Sequence, residues 1–180
     1  MQNDHMKRLM PVIDDMKSDK VNNYVIAGLS SSLLDNGLVR VFENTRNHQD
    51  TITPHSHRFN FACLVLEGFV VNRRWIKQTN EKDGDKYLMS KLIYKGKIGK
   101  HTTQAIEEGY WSFVDNKYSA GQSYSMLAEE VHSISFSKGA KVLFFEGPQI
   151  QDCSFIIEPL VDGERIRTYE SKSYMFKQGE

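Results

Sequence analysis

The stretch that decides the fold runs from residue 53 to residue 68 and reads TPHSHRFNFACLVLEG. Side chains on a β-strand alternate between two faces, so His55 and His57 would lie side by side on one face. The same alternation brings an apolar series to the histidine side, namely Phe59, Phe61, Cys63 and Val65. The stretch therefore predicts a strand whose two histidines face an enclosed, mostly apolar interior.

A third histidine lies in a second alternating segment, VHSISFS, at residues 131–137. His132, Ile134 and Phe136 share one parity, which predicts a strand with one buried face. A single inward histidine is often satisfied by a backbone or hydroxyl partner. Three of them on inward strand faces match the ligand number of a mononuclear metal site with open positions. The sequence therefore predicts a metal site made of His55, His57 and His132.

These residues resemble the motifs of the cupins, which are double-stranded β-helix or jelly-roll proteins. The first cupin motif has the form HxH followed by a glutamate and a glycine, and His55, His57 and Gly68 are similar to it. The second motif begins with glycine and has histidine eleven residues later, as Gly121 and His132 do. The resemblance covers roughly residues 38 to 150. It implies a mainly β fold, a jelly-roll barrel with a short N-terminal helical segment.

A subgroup of cupin-like proteins, several of them phage-encoded and without an established reaction, is more similar still. Its pattern is HDHPW-x-F, and later a histidine strand that ends in LF-x-x-GP; this chain has HSHRFNF and VHSISFSKGAKVLFFEGP.

The chain also departs from the cupin pattern. Where many cupins have a glutamate ligand it has Phe61 and Ala62, and in the second motif Leu127 and Glu129 replace proline and glycine. The resemblance then implies a three-histidine site similar to that of the thiol dioxygenases. Cys63 shares the face of His57 and is a possible further ligand, although a small buried apolar role is more usual for cysteine.

Composition excludes several classes of protein. Lysine plus arginine equals aspartate plus glutamate at 23 each, so no net charge draws the chain to nucleic acid or an anionic membrane. The two cysteines are too few for a disulfide framework, and no apolar run is long enough to cross a bilayer. We expect a cytoplasmic protein with no nucleic-acid or membrane partner, and the cupin resemblance implies a homodimer.

The rest of the chain predicts one jelly-roll domain with an extension. Met6, Leu9, Met10, Ile13 and Met16 recur at helical spacing, with Pro11 in the first turn or at a kink. Residues 1–36 are predicted to be a helical or irregular extension packed on a barrel at 37–180, and residues 24–34 could be a helix or an irregular cover. A hairpin insertion is expected at about 77–101. Strands are predicted at 38–42, 60–67, 69–77, 87–95, 109–114, 123–128, 131–137, 141–146, 153–158 and 164–170.

The predicted function is that of a mononuclear non-haem metal oxygenase acting on a small polar substrate. Three neutral imidazoles suit Fe(II) first, with Mn, Ni or Zn as alternatives. Candidate residues for a substrate anion or for proton relay are Arg58, Arg73, Arg74, Tyr110, Tyr124 and Glu130. The remaining histidines, His5, His48 and His101, are predicted to lie on the surface.

Two other functions remain open from the sequence. One is a metal-independent isomerase, epimerase or lyase of sugars or nucleotide sugars that uses a histidine as base, for which the imidazoles would sit apart. The other is a non-catalytic binding or accessory protein, favoured by the missing glutamate and the altered second motif.

Overall fold

The computed structural model describes residues 2–23, 28–34, 38–46, 53–94, 101–161, 164–165 and 177–178. Helix α1 spans Gln2–Met16, and a short 3₁₀ turn spans Glu81–Asp83. The strands are β1 (Lys17–Asn23), β2 (Leu29–Leu34), β3 (Val39–Asn44), β4 (Phe59–Glu67), β5 (Phe69–Gln78), β6 (Asp85–Tyr94), β7 (His101–Ser119), β8 (Ser123–Met126), β9 (Val131–Phe136), β10 (Lys141–Gln149), β11 (Cys153–Val161), β12 (Glu164–Arg165) and β13 (Lys177–Gln178). The mainly β fold with one short N-terminal helix, predicted from the sequence, is confirmed.

The strands form two antiparallel sheets whose order is that of a jelly roll. One sheet runs β13-β1-β2-β3-β10-β4-β8, and the other runs β12-β11-β6-β7-β5-β9. Residues 53–57, called here the His55 segment, add to β9 at the edge of the second sheet through His55 and His132. In chain order, eight of these segments are β3 (first), the His55 segment (second), β4 (third), β5 (fourth), β7 (fifth), β8 (sixth), β9 (seventh) and β10 (eighth). Within one sheet their spatial order is first, eighth, third, sixth, and within the other it is second, seventh, fourth, fifth. This interleaving of two Greek keys defines the jelly roll.

The main core lies between the two sheets. The parity predicted for β4 and β9 is correct, because Phe61, Val65, Ile134 and Phe136 are all buried there. The turn from β4 to β5 depends on Gly68, at φ +68, where an added Cβ would lie 3.0 Å from the Cα of Ala140. The other buried members of this core are Leu29, Cys63, Val70, Tyr124, Met126, Ala140 and Val142.

Helix α1 covers the opposite face of the β3-β10-β4 sheet. Met10 and Ile13 are buried from the helix side, while Val12 is 53% exposed. Pro11 lies within the helix rather than in its first turn. The sheet supplies the other buried members of this second cluster, which are Leu34, Val39, Val41, Leu66 and Leu143. The helix therefore seals apolar side chains that the main core does not reach.

Several elements differ from the sequence-based prediction. Residues 17–34 supply two strands, β1 and β2, to the first sheet, whereas an extension of helical or irregular structure was expected. Strand β7 extends over 19 residues, far beyond the predicted 109–114, because its first half pairs with β6 and its second half with β5. Exposed residues 102–108 carry no alternation, so the sequence gives no sign of this length.

Predictions that fall on residues 24–27, on His48 and on 166–170 lie outside the described residues. Within the described part of the chain, the structure has no helix with the length and apolar character that a membrane crossing requires.

We predict that Ile13→Ala lowers the free energy of unfolding by about 2–4 kcal/mol, because it removes a buried side chain from the helix–sheet cluster. Val12→Ala is the matched control and should change stability by less than about 0.5 kcal/mol, since Val12 is mostly exposed. Urea unfolding monitored by circular dichroism measures both. Equal effects of the two substitutions would show that α1 does not pack through Ile13.

Candidate metal centre

The His55 segment is held on both sides by backbone hydrogen bonds. His55 N donates to the carbonyl of His132 at 2.8 Å, and His132 N donates to the carbonyl of His55 at 2.9 Å. On the other side, Ser56 N donates to the carbonyl of Phe155 at 2.8 Å, and the Ser56 hydroxyl accepts from Phe155 N at 2.9 Å. The segment is therefore fixed between β9 and β11, and its register determines where the histidines point.

The three imidazoles converge on one side of the His55 segment. Residues directly opposite each other in an antiparallel pair share a face, so the pairing of His55 with His132 brings their rings together. Ring centroids are 4.8 Å apart for His55 and His57, 5.0 Å for His55 and His132, and 5.1 Å for His57 and His132. The Nε2 atoms of His57 and His132 lie 3.0 Å apart.

Second partners determine which ring nitrogen each histidine presents. His55 Nδ1 lies 2.9 Å from the carbonyl oxygen of Thr53, which can only accept, so this nitrogen carries the proton and Nε2 has the lone pair. His132 Nδ1 lies 2.8 Å from Oδ1 of the buried Asn72. Its Nε2 is then also the nitrogen with the lone pair. Such partners are typical of metal-binding histidines.

Desolvation favours the neutral form of all three imidazoles, of which His132 is buried and His55 and His57 are partly buried. Desolvation is the main cause that lowers the pKa of His55, against the opposing effect of its bond to the Thr53 carbonyl. Desolvation and then the nearby His55 lower the pKa of His57 to about 2. Desolvation, followed by His55, His57 and the cationic Arg74, holds the pKa of His132 well below its usual value. A neutral imidazole is the form that binds metal.

The geometry fits one divalent ion. At a metal–nitrogen distance of about 2.1 Å, two imidazoles at right angles around the ion have nitrogens about 3.0 Å apart. The Nε2 atoms of His57 and His132 already have this separation, and the ligand atoms of the three residues all lie within 4.8 Å of one another. A facial set needs all three ligand atoms at about this separation, so His55 would have to approach the other two, and about three positions would be left for other ligands.

Aromatic rings cover one side of the cluster. The ring of Phe61 lies 4.6 Å from that of His57 and 5.4 Å from that of His132, between centroids. Phe59 and Phe144 lie 5.4 Å and 6.3 Å from His57. Phe61, four residues after His57 in the sequence, thus contributes an apolar wall beside the histidines.

Cys63 is not part of the cluster that the three histidines form. It is buried, and desolvation raises the pKa of its thiol to about 12, although a hydrogen bond with Tyr124 opposes this rise. A thiol with so high a pKa is a poor source of thiolate. The structure therefore favours the small buried apolar role for Cys63.

The predicted substrate residues lie in different places. Arg73 is on the opposite face of β5, where its guanidinium makes two hydrogen bonds to Asp115, at 2.7 Å and 2.9 Å. Arg58 stacks over Tyr94, 4.4 Å from the ring centroid. Tyr110 donates to Glu81 at 3.3 Å beside the 3₁₀ turn, and Tyr124 is buried in the main core. The structure brings none of these four side chains into the ring contacts of the three histidines.

Arg74 is the candidate arginine that shares the face of His132. The two residues are directly opposite on β5 and β9, and Arg74 forms an ion pair with Glu130 at 2.7 Å. Arg74 and Glu130 line a groove of about 440 Å³. The other residues of its lining are Asn60, Phe61, Ala62, Ser125, Met126, Leu127, Phe145, Glu146 and Gly147. The three histidines are not among the residues that line this groove.

Sequence reasoning missed Asn72 and the Thr53 carbonyl. A signal for Asn72 was present, since it has the inward parity of Val70 and is polar at a place where the strand should be apolar. The contribution of Thr53 is a backbone group, so its residue type carries no signal.

No protein-family model and no curated protein matches this sequence. Among solved structures, the chain is similar to Drosophila melanogaster CENP-C bound to CAL1, with 10% identity over 81% of this chain and 98% of that chain and a TM-score of 0.42. It is also similar to the Drosophila melanogaster CENP-C cupin domain, with 9% identity over 81% of this chain and 98% of that chain and a TM-score of 0.42. For hydroxypropylphosphonic acid epoxidase from S. wedmorenis the identity is 12% over 74% of this chain and 57% of that chain, and the TM-score is 0.39. Because these TM-scores are low, the strand order alone carries the jelly-roll assignment.

We predict that the metal-free protein loses stability as pH falls from 7.5 to 5.5. The three histidines stay neutral when folded but take up protons near pH 6.5 when unfolded, so stability is complete above that pH and decreases below it. The loss should approach about 1.4 kcal/mol per pH unit for a histidine whose folded pKa lies well below this range, as the pKa of His57 does. Urea unfolding in the presence of a chelator measures it. Unchanged stability at pH 5.5 would contradict the neutral, desolvated cluster.

Proposed function

We propose that this protein binds one divalent metal ion through His55, His57 and His132 and acts as a mononuclear non-haem metal oxygenase on a small polar substrate. The observation that carries the proposal is the 3.0 Å separation of the Nε2 atoms of His57 and His132, with His55 beside them. Two neutral imidazoles at this distance share either a proton or an ion. The partners of His55 and His132 leave their Nε2 atoms with a free lone pair, which is the form in which an imidazole binds a metal.

Iron is our first choice of metal. The ligand set is entirely imidazole, which suits Fe, Zn, Ni and Cu and is less suited to the oxygen-preferring Mg and Ca. With no carboxylate in the set, the ion keeps its full positive charge. Mn, Ni and Zn remain alternatives, because the affinity order of such sites does not determine which metal a cell supplies.

A bound Fe(II) would supply Lewis acidity and one-electron chemistry toward dioxygen at its open positions. The chain itself would exclude water from one side of the site through Phe59, Phe61 and Phe144. Arg74 would bind an anionic group of the substrate, in competition with Glu130, which now occupies its guanidinium at 2.7 Å. We therefore expect a small anionic or zwitterionic ligand, and a homodimer remains a prediction from the cupin resemblance.

The metal-independent isomerase is a weaker candidate. Its histidine base would need a pKa near the working pH, whereas burial lowers the pKa of His57 to about 2. The imidazoles also lie together rather than apart. A base that cannot hold a proton near neutral pH contributes little to proton transfer.

A second function is favoured by one specific observation. In the described structure, the histidines are not part of the lining of the groove of about 440 Å³ that Arg74 and Glu130 border. A metal that no small molecule reaches through this groove would stabilise a non-catalytic binding or accessory protein. The two functions differ in whether a small molecule reaches the metal.

We predict that the protein, purified without chelator or histidine tag, contains one divalent ion per chain and that His132→Ala abolishes binding. His101→Ala, a histidine outside the cluster, is the matched control and should retain the ion. Calorimetric titration of the metal-free protein with Fe(II) under anaerobic conditions, Zn(II) and Mn(II) measures affinity, and circular dichroism confirms folding. Equal binding by His132→Ala and the wild type would contradict the site.

Access to the metal separates the two functions. We predict that nitric oxide, added without oxygen to the Fe(II)-loaded protein, gives the EPR signal of a nitrosyl–iron centre, because the open positions accept a diatomic ligand. Protein with His101→Ala should give the same signal. Bound iron without a nitrosyl signal would support the non-catalytic function.

A further inference from the structure

Asn72 occupies a buried position where an asparagine lowers the stability of the fold unless its amide is hydrogen-bonded. Its side chain is 1% exposed, it follows the buried Val70 on the inward parity of β5, and it pairs with the buried Ile134 across the sheet. Burial of a primary amide costs free energy unless its polar atoms find partners. A valine or leucine would fill this place in the core without that cost. The polar atoms of Asn72 therefore point to a function besides packing.

The two ends of the amide have different partners. Asn72 Nδ2 lies 3.3 Å from the sulfur of Met126, and Oδ1 lies 2.8 Å from Nδ1 of His132. A thioether sulfur can only accept a hydrogen bond, so the amide nitrogen belongs on the Met126 side. Oδ1 must then accept from His132. The sulfur of Met126 thereby determines which end of the amide meets the imidazole.

The consequence passes through His132 to His57. With its proton held on Nδ1, a neutral His132 presents a lone pair at Nε2. The Nε2 atom of His57 lies 3.0 Å away, so in the metal-free protein this atom carries the proton and donates it. A metal ion that replaces this shared proton finds His132 already in the required tautomer, and only His57 has to change.

We propose that Asn72 is a positioning residue, which holds His132 as the Nδ1-protonated tautomer with Nε2 aimed at the ion and so sets the metal affinity of the site. This inference rests on the proposed metal-binding function. Without Oδ1, His132 can place its proton on Nε2 and donate it toward His57, which occupies the ligand atom and leaves Nδ1 facing an apolar wall. The loss of such an outer partner typically lowers metal affinity by about 10–100-fold.

Three substitutions test the proposal by metal titration. Asn72→Leu keeps approximate volume and removes the acceptor, so the dissociation constant should rise about 10–100-fold. Asn72→Asp keeps an acceptor at the same place and should retain or strengthen binding. Asn44→Leu is the matched control, since Asn44 is also a buried asparagine but its amide donates to the carbonyls of Phe136 and Ser137 and not to a histidine, and it should leave affinity within about twofold. Circular dichroism and thermal melting verify that each variant is folded.

Nitrogen-15 NMR of the metal-free wild type provides a readout that does not depend on any variant. We expect His55 and His132 as Nδ1-protonated and His57 as Nε2-protonated tautomers. His132 protonated at Nε2 would overturn the proposal, as would an Asn72→Leu affinity equal to that of the wild type. Equal losses in Asn72→Leu and Asn72→Asp would also overturn it, because they would indicate packing alone. If the wild type binds no ion, the proposed function fails, and the His132 tautomer still decides the role of Asn72.

Discussion

The pair of backbone hydrogen bonds between His55 and His132 is the constraint on which the candidate site depends. It adds the His55 segment to β9, completes the jelly-roll order of the second sheet, and places two imidazoles on one face. A shift of one residue in this register would turn His55 and His57 to the other side of the sheet. The fold and the site are therefore two results of the same pairing.

Hydrogen-bond partners lower the cost of desolvating the imidazoles in the metal-free site. His132 is buried and His55 and His57 are partly buried, and the cost is offset by the Thr53 carbonyl, by Asn72 and by the hydrogen bond between His57 and His132. These same bonds orient the ligand atoms. The arrangement that makes the metal-free core tolerable thus also prepares it for a metal.

The inward-facing strands and the three histidines of the candidate site could be predicted from local sequence patterns. Other features of the fold and the site depend on contacts between distant residues. The alternation around His57 and His132 predicts inward-facing strands correctly, because burial of one sheet face leaves a period of two in the sequence. Parity also separates Arg73 from Arg74, but only once the face of β5 is known from its pairing with β9. The partnership of Asn72 with Met126 joins residues 54 positions apart along the chain, and no local pattern encodes it. The first half of β7 pairs with the nearby β6, but its exposed residues 102–108 show no alternation from which a strand could be predicted.

The central claim is that three imidazoles converge on one ion. The most direct test is an anomalous-difference map from crystals of the protein loaded with Fe(II) or Mn(II). The account predicts a single peak at about 2.1 Å from the Nε2 atoms of His55, His57 and His132. A peak at any other place, or three rings that point apart with no ion between them, would contradict it.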